Sequence, residues 1–529
     1  MRQCRARGSC CVKPADKREF DVSETAPPLL RVPDAVYEQT LLKIERSRWA
    51  AAQFQKLDRA KTERIVQAVA EAAYAKARFY AEWAVRETGM GVVAHKQLKN
   101  EACSRGLVEK YGGDDLVSPR IDRAGKIVAL LRPVGVIFAL VPVTNPVATV
   151  YFKTLLALMS RNAIILSPHP GAKDVCADAA RIMAEAAKAA GAPDGVIQVI
   201  EEPTIPLIEK LIADARIDLV IATGGPAVVK AAYKSGNPAL GVGPGNAPVL
   251  VDHTADIRKA AQRIVASKSF DNSILCTNES TLLAFAGIAD QLLAAMKAEG
   301  AHLCTPDETA KIRRLLFGGG GFNAAVIGKD ASLIAREAGF TAPGAKILLT
   351  PVDLVQPEEE LVREKLCPVL AFARVDGLGQ AISSARSMMR KAGRGHSAAI
   401  HSRHEAHIVA FAAALPALRV VVNAGCSLGA SGFETNLGPS MTIGTGFAGG
   451  SSLSENLSPR HLVQFVNVAY NREDAELFGN FESVDPFASL AATSTSVRPV
   501  PLSLPADASD LRRTLRQIIL EELNAVLTA

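Results

Sequence analysis

Apolar residues return every three to four positions through Ile44, Ile65, Val69, Phe79 and Trp83. That spacing paints one stripe along a helix and predicts helices over residues 34–86. A further helical run ends near Tyr111-Gly112-Gly113, and Asp122-Arg123-Ala124-Gly125-Lys126 then predicts a hairpin turn leading into 127–132. From residue 134 the pattern changes. Short continuous apolar runs at 134–140, 163–166, 196–200 and 219–221 predict buried strands, and amphipathic stretches at 147–159, 174–190, 205–213 and 227–233 predict the helices between them. Alternation of this kind builds a doubly wound parallel sheet, whose ligands bind beyond the carboxyl ends of its strands. Those ends carry Pro142-Val143-Thr144-Asn145-Pro146, Ser167-Pro168-His169-Pro170 and Thr223-Gly224-Gly225-Pro226. The last places small residues at a helix N-terminus, where backbone N–H groups can face a pyrophosphate. No GxGxxG accompanies it.

Gly241-Val242-Gly243-Pro244-Gly245-Asn246 breaks the alternation and predicts passage into a second α/β unit. There a helix over 255–270 precedes a strand over 279–285, and a lone cysteine, Cys276, sits on the turn between them. A thiolate attacks carbonyl carbon and leaves readily, so this is a mount for a nucleophile; the competing reading is a buried, inert thiol. Strands are also expected at 324–327, 346–349 and 398–401, and a loop at 318–321. His401, His404 and His407 recur every three residues on an expected helix. Lacking a carboxylate or cysteine nearby in sequence, they read as surface histidines, and no metal site is assigned.

Composition narrows the class. A chain of 529 residues exceeds one compact core. No apolar run reaches the roughly 18–20 residues of a membrane helix, and no secretory signal opens the sequence, so a soluble chain with no membrane partner is expected. Nine cysteines without a regular framework point to a reducing, cytoplasmic compartment; Cys4, Cys10 and Cys11 lack CxxC spacing. A net charge of +6, partly from Arg2, Arg5, Arg7, Lys13, Lys17 and Arg18, reads as a solvated arm and not a nucleic-acid footprint. The expected organisation is a flexible leader over 1–30, a nucleotide (NAD/CoA)-binding domain over 31–245 with its hairpin near 118–133, and a catalytic domain over 246–440. A return and oligomerisation segment (441–484), a linker rich in Ala, Ser, Thr and Pro (485–508) and an amphipathic helix (509–529) complete it. Leu511, Leu515, Ile518, Ile519, Leu523 and Val526 share one face of that helix.

Val143-Thr144-Asn145-Pro146, Ser167-Pro168-His169-Pro170, Gly241 to Asn246 followed by Ala247-Pro248-Val249, Phe270-Asp271-Asn272 with Cys276, and Glu364-Lys365-Leu366-Cys367-Pro368 occur in an order and spacing that resemble the aldehyde dehydrogenase superfamily. With Gly395-His396-Ser397 and the string from Gly449 to Leu457, the chain looks most like its CoA-acylating branch over residues 35–475. The resemblance implies an α/β fold of two doubly wound domains, cofactor and catalytic, with an oligomerisation hairpin. It also implies Cys276 as nucleophile, with the Asn145 amide and the Cys276 N–H holding the oxyanion. Glu364 falls at the nicotinamide ribose, and Thr144, Ser167, His169, Thr223, Gly224 and Gly225 fall along the rest of an NAD or NADP site. His396 is implied near the thiol, in either a chemical or a structural role.

Hydrolytic members carry Glu-Leu-Gly-Gly-Lys before the nucleophile, and that glutamate activates water. The matching Gly241 to Asn246 has no carboxylate, so a thioester would survive water and pass reversibly to CoA. The implied substrate is a short-chain aldehyde such as acetaldehyde, propionaldehyde or sulfoacetaldehyde, and the implied assembly is a homodimer or homotetramer. The terminal helix resembles encapsulation peptides that dock on bacterial microcompartment shell proteins, which would place the enzyme in the lumen; docking on its own or a neighbouring subunit is the alternative. Two other functions compete: a glutamyl-phosphate-reductase-like semialdehyde dehydrogenase using phosphate, and a catalytically silent scaffold.

Overall fold

The computed structural model describes residues 34–473 and 477–482. The expected leader, linker and terminal helix, and Cys4, Cys10 and Cys11, lie outside them. Among the described residues no helix is long and apolar enough to cross a membrane.

The first helical stretch is three helices, Asp34–Phe54, Arg59–Ala75 and Ala77–Thr88. Local chemistry makes the breaks: the Asp58 side chain accepts from Lys61 N–H to cap the second, and Gly89, at φ +65°, ends the third. Val93–Ala102 and Arg105–Tyr111 follow.

A five-stranded sheet comes next, in spatial order Ile197–Val199, Ala163–Pro168, Val136–Val141, Leu219–Ala222 and Ala239–Gly241. Every pair is parallel. The central strand is buried along its whole length, as expected of a sheet covered by helices on both faces. A seven-stranded sheet follows in the order Ala301–Leu303, Ile347–Pro351, Val369–Val375, Glu279–Phe285, Ala247–Val251, Ser397–His401 and Arg419–Val422. It too is parallel throughout. Apolar clusters pack on its two faces, one around Leu250, Leu283, Leu348 and Phe411, the other around Val249, Leu282, Ile264 and Leu292. Both sheets lie in one compact unit, which among the described residues is 34–114 with Pro133–Leu462.

The second unit contains, among the described residues, Asp115–Arg132, 463–473 and 477–482. Its three-stranded sheet orders Arg120–Asp122, Ile127–Pro133 and Val463–Ala469. The first two pair antiparallel across the expected hairpin, where Gly125 N–H donates to the Asp122 carboxylate at 2.9 Å. The third strand is exposed on both faces after Val463.

Two expectations are corrected. Residues 324–327 are not a strand: Asn323 accepts from Ala325 N–H and starts the short 3-10 turn Ala324–Val326 instead. The histidine triplet is not on one helix. His401 ends a strand, His404 precedes the helix Glu405–Ala414, and His407 lies within it. His407 does have a carboxylate, Asp252 at 2.8 Å, contributed from 155 residues away.

Candidate active site

Helix Ile257–Ser269 delivers the chain to a turn of unusual backbone. Asp271, Asn272 and Ser273 have φ of 48°, 51° and 66°, a region that costs non-glycine residues roughly 1–3 kcal/mol each unless the surroundings over-determine it. Here they do. The Asp271 carboxylate accepts from Val92 N–H at 2.6 Å, and its own N–H donates to His95 Nδ1 at 2.9 Å. Asn272 donates to the Gly328 carbonyl and to Asp330, and Ser273 donates to Asn278. Asn278 in turn donates to the carbonyls of Ser273 and Leu275 and accepts from the buried Lys268. The turn therefore presents Cys276 from a fixed backbone. Of the six cysteines among the described residues, Cys276 alone is partly exposed. Burial and the nearby Glu364 carboxyl push its thiol up to about 12, while the Arg419 guanidinium opposes them.

Asn145, expected to hold an oxyanion, precedes the helix Pro146–Met159 and is buried. Its Oδ1 accepts from Lys99 Nζ at 2.5 Å, so its Nδ2 faces Thr144 Oγ1 at 3.1 Å and the Ile274 carbonyl at 3.5 Å, two residues before Cys276. Thr144 is drawn in beside it, its carbonyl accepting from Lys96 at 3.0 Å. Glu364 comes to the same place through Gly245. A Cβ on Gly245 would collide with the Cys276 carbonyl and lie 2.9 Å from Glu364 Oε1, so the glycine string lets backbone pass between Cys276 and Glu364. Burial lifts Glu364 to about 8, against a hydrogen bond from Gly245 N–H.

The remaining predicted residues line the carboxyl ends of the five-stranded sheet. Because Val136–Val141 lies between Ala163–Pro168 and Leu219–Ala222, the loops that follow these three strands are neighbours. Ser167 ends its strand with Oγ buried and without a hydrogen-bond partner. His169 is exposed and accepts from Gly171 N–H, and Thr223 bonds Thr442 at 3.0 Å. Gly225 precedes the helix Pro226–Lys234, and a Cβ there would meet nothing within 4 Å. An unpartnered hydroxyl and an open glycine turn at a helix N-terminus fit the phosphates and ribose of a dinucleotide.

Several participants escaped the sequence reading. Lys96 and Lys99 lie three apart on a polar helix, the pattern of a solvated face, yet are 3% and 2% exposed. They converge on Asp271. Arg419 is buried and donates to the carbonyls of Gly395, His396, Gly444 and Ser454 and to Asn456, thereby clamping the His396 loop. His396 is buried too, Nδ1 2.6 Å from Ser397 Oγ and Nε2 without a partner; burial pushes its pKa down to about 3, leaving the ring neutral. His302, Cys304 and Glu308 also cluster, but Glu308 is there to cap its own helix through Thr305.

The aldehyde dehydrogenase family profile matches residues 13–438. The chain is 37% identical over 440 residues to the bifunctional aldehyde-alcohol dehydrogenase of Escherichia coli (strain K12), covering 82% of this chain and 49% of that protein. It is 36% identical over 440 residues to the succinate-semialdehyde dehydrogenase (acetylating) of Clostridium kluyveri, covering 82% and 96%. The chain thus spans about half the length of the bifunctional curated relatives it matches. Among solved structures, an acetylating aldehyde dehydrogenase from Geobacillus thermoglucosidasius superposes with a TM-score of 0.82 at 37% identity, over 84% of this chain and 99% of that one. A propionaldehyde dehydrogenase from the Clostridium phytofermentans fucose utilisation bacterial microcompartment superposes with a TM-score of 0.75 at 29% identity, over 82% and 97%. Profile, identity and superposition agree with the two parallel sheets and the strings around Cys276: the chain belongs to the aldehyde dehydrogenase family.

Proposed function

We propose that this chain is a CoA-acylating aldehyde dehydrogenase that oxidises a short-chain aldehyde to its acyl-CoA, reversibly, with NAD or NADP. The observation that carries the reading is the partly exposed Cys276, two residues beyond the Ile274 carbonyl to which the Asn145 amide donates, beside a glycine string that holds no carboxylate. The acetylating activity in the names of the Clostridium kluyveri and Geobacillus relatives supports it.

The Cys276 thiolate adds to the aldehyde carbon, and the carbonyl oxygen becomes an oxyanion. Asn145 Nδ2 and the Cys276 N–H donate to that oxygen, where charge develops. The nicotinamide, when bound, supplies a hydride acceptor, so that the adduct becomes a Cys276 thioester. Glu364 orients its ribose, Ser167, Thr223, Gly224 and Gly225 hold the phosphate and sugar end with Thr144, and His169 borders it. Glu364 keeps its proton below pH about 8 and is no base for water at neutral pH. The thioester therefore waits for a thiol. Attack by CoA sulfur forms the acyl–CoA bond and breaks the acyl–Cys276 bond, returning the electron pair to the Cys276 sulfur, which takes up the proton the incoming thiol gives up; His396, whose low pKa makes it a weak base, serves this site structurally.

The test is NADH formation from acetaldehyde, propionaldehyde, sulfoacetaldehyde and succinate semialdehyde, with and without CoA, beside Cys276→Ala. Strict CoA dependence that vanishes in the variant is expected. Steady turnover without CoA overturns the reading.

The ends of the chain extend the proposal. Phe465, Val466 and Val468, each about 40% exposed on the strand Val463–Ala469, offer an apolar strand to a second copy, which supports a homodimer or homotetramer. The microcompartment origin of one structural neighbour supports residues 509–529 as a shell-docking helix and the lumen as the enzyme's place. Deleting 490–529 is expected to leave activity intact and abolish co-purification with shell proteins; unchanged co-purification overturns it.

A further inference from the structure

Behind Asn145 two buried lysines share one buried carboxylate. Lys96 Nζ lies 3.3 Å from Asp271 Oδ2 and Lys99 Nζ also contacts that oxygen, with side chains 4%, 2% and 0% exposed respectively for Lys96, Lys99 and Asp271. An isolated structural ion pair needs one cation, because each buried charge costs several kcal/mol to desolvate (about that per ion). The second lysine calls for another explanation, and its partners give one. Lys96 spends its further hydrogen bond on the Thr144 backbone carbonyl. Lys99 spends its own on the Asn145 side chain. An ammonium donates only, so the end of a carboxamide that pairs with it must be the accepting oxygen. Asn145 Oδ1 is thereby locked toward Lys99 and Nδ2 toward the Cys276 side, where it meets the Ile274 carbonyl.

Without that lock the two ends of the amide are nearly equivalent in shape, and a flipped Asn145 would aim oxygen at a developing oxyanion. Asp271 completes the device: its backbone belongs to the left-handed turn leading to the nucleophile, so one carboxylate ties Lys99, and through it the Asn145 amide, to the same turn that fixes Cys276.

We propose that Lys99 is a positioning residue that sets the orientation of the Asn145 carboxamide, keeping its N–H donors on the oxyanion. The proposal rests on the acylating reading above, and CoA-dependent turnover by the unaltered enzyme upholds that reading whatever the lysine variants do.

The test compares Lys99→Met with Lys96→Met, alone and on an Asn145→Ala background. Both substitutions remove one positive charge, and each leaves Asp271 a remaining lysine, so neither strands a buried carboxylate. Lys99→Met is expected to lower kcat about a hundredfold, the scale of a misdirected catalytic group, at nearly constant KM for aldehyde and CoA. Lys96→Met is expected to lose several times less. On the Asn145→Ala background, Lys99→Met is expected to cost almost nothing further, the non-additivity of two residues acting as one unit. Thermal unfolding and iodoacetamide labelling of Cys276 report whether each variant is folded with its thiol accessible. Equal losses for the two lysines, or the same loss for Lys99→Met with and without Asn145, overturns the proposal. So does a Lys99→Met enzyme that is folded and retains its kcat.

Discussion

From Phe270 to Ser280 every residue except Cys276 is buried, and three consecutive left-handed residues are held by bonds from segments far away in sequence. Around Gly224 and Gly225 the situation is reversed: residues 224–228 are exposed, and a Cβ on either glycine would meet at most Val228 at 3.9 Å. Both are turns at the carboxyl ends of parallel strands or at helix junctions, and both are assigned here to the same reaction. The difference follows from what each must hold. A nucleophile and its oxyanion donors act over tenths of an ångström, so their backbone is over-determined. A surface proposed to bind a dinucleotide has to release what it binds, and it gains from open backbone.

Substituting into each turn tests that contrast. The largest loss belongs to Cys276→Ala, expected to remove at least about 10⁴-fold of CoA-dependent turnover, the scale for deleting a nucleophile, with an unchanged Tm; measurable turnover would move the nucleophile elsewhere. Next is Gly245→Ala, whose new Cβ would strike the Cys276 carbonyl and crowd Glu364. Overpacking of this kind costs about 1–3 kcal/mol, and the displaced thiol is expected to lose about 10²-fold in kcat, with Tm and kcat falling together. The same change at Gly225 is expected to leave Tm and kcat alone and raise KM for the nicotinamide nucleotide a few-fold. If Gly225→Ala behaved like Gly245→Ala in a melt, the contrast between rigid and open turns would fail.

The smallest effect concerns the thiol's proton. With the Cys276 thiol raised to about 12 by burial, its thiolate fraction grows about tenfold per pH unit, so iodoacetamide labelling without ligands should climb from pH 7 to 10 without a plateau. Glu364, raised to about 8, is neutral below that pH and anionic above it, and the anion disfavours the thiolate. Glu364→Gln is therefore expected to speed labelling several-fold at pH 9 and to leave it unchanged at pH 6.5. A plateau near pH 7 would mean that a cation reaches Cys276 more closely than Arg419 does.

Much of the first sheet is legible because its strands are apolar runs between amphipathic helices, a pattern written locally. Asn145 and Glu364 are singled out only through strings that resemble a family, and Cys276 through those strings and its place on a turn between helix and strand; the structure adds the reason for one string: Gly245 has no room for a side chain. What the sequence hides is long-range. Lys99 and Asp271 lie 172 residues apart, and Asp252 and His407 lie 155 apart; no period or spacing couples them. Residues 324–327 read as a strand because four apolar side chains in a row suit either state, and an Asn323 side-chain bond starts the turn instead.

The left-handed turn also has a consequence for the order in which the chain matures. Its anchors come from both directions: Val92 and His95 are made well before it, and Gly328 and Asp330 well after it. During synthesis, Cys276 emerges from the ribosome before Gly328 and Asp330, which hold Asn272, have been made. The set of contacts around the turn is thus complete only once residue 330 has been made, and a chain lacking that segment lacks the two acceptors that hold Asn272.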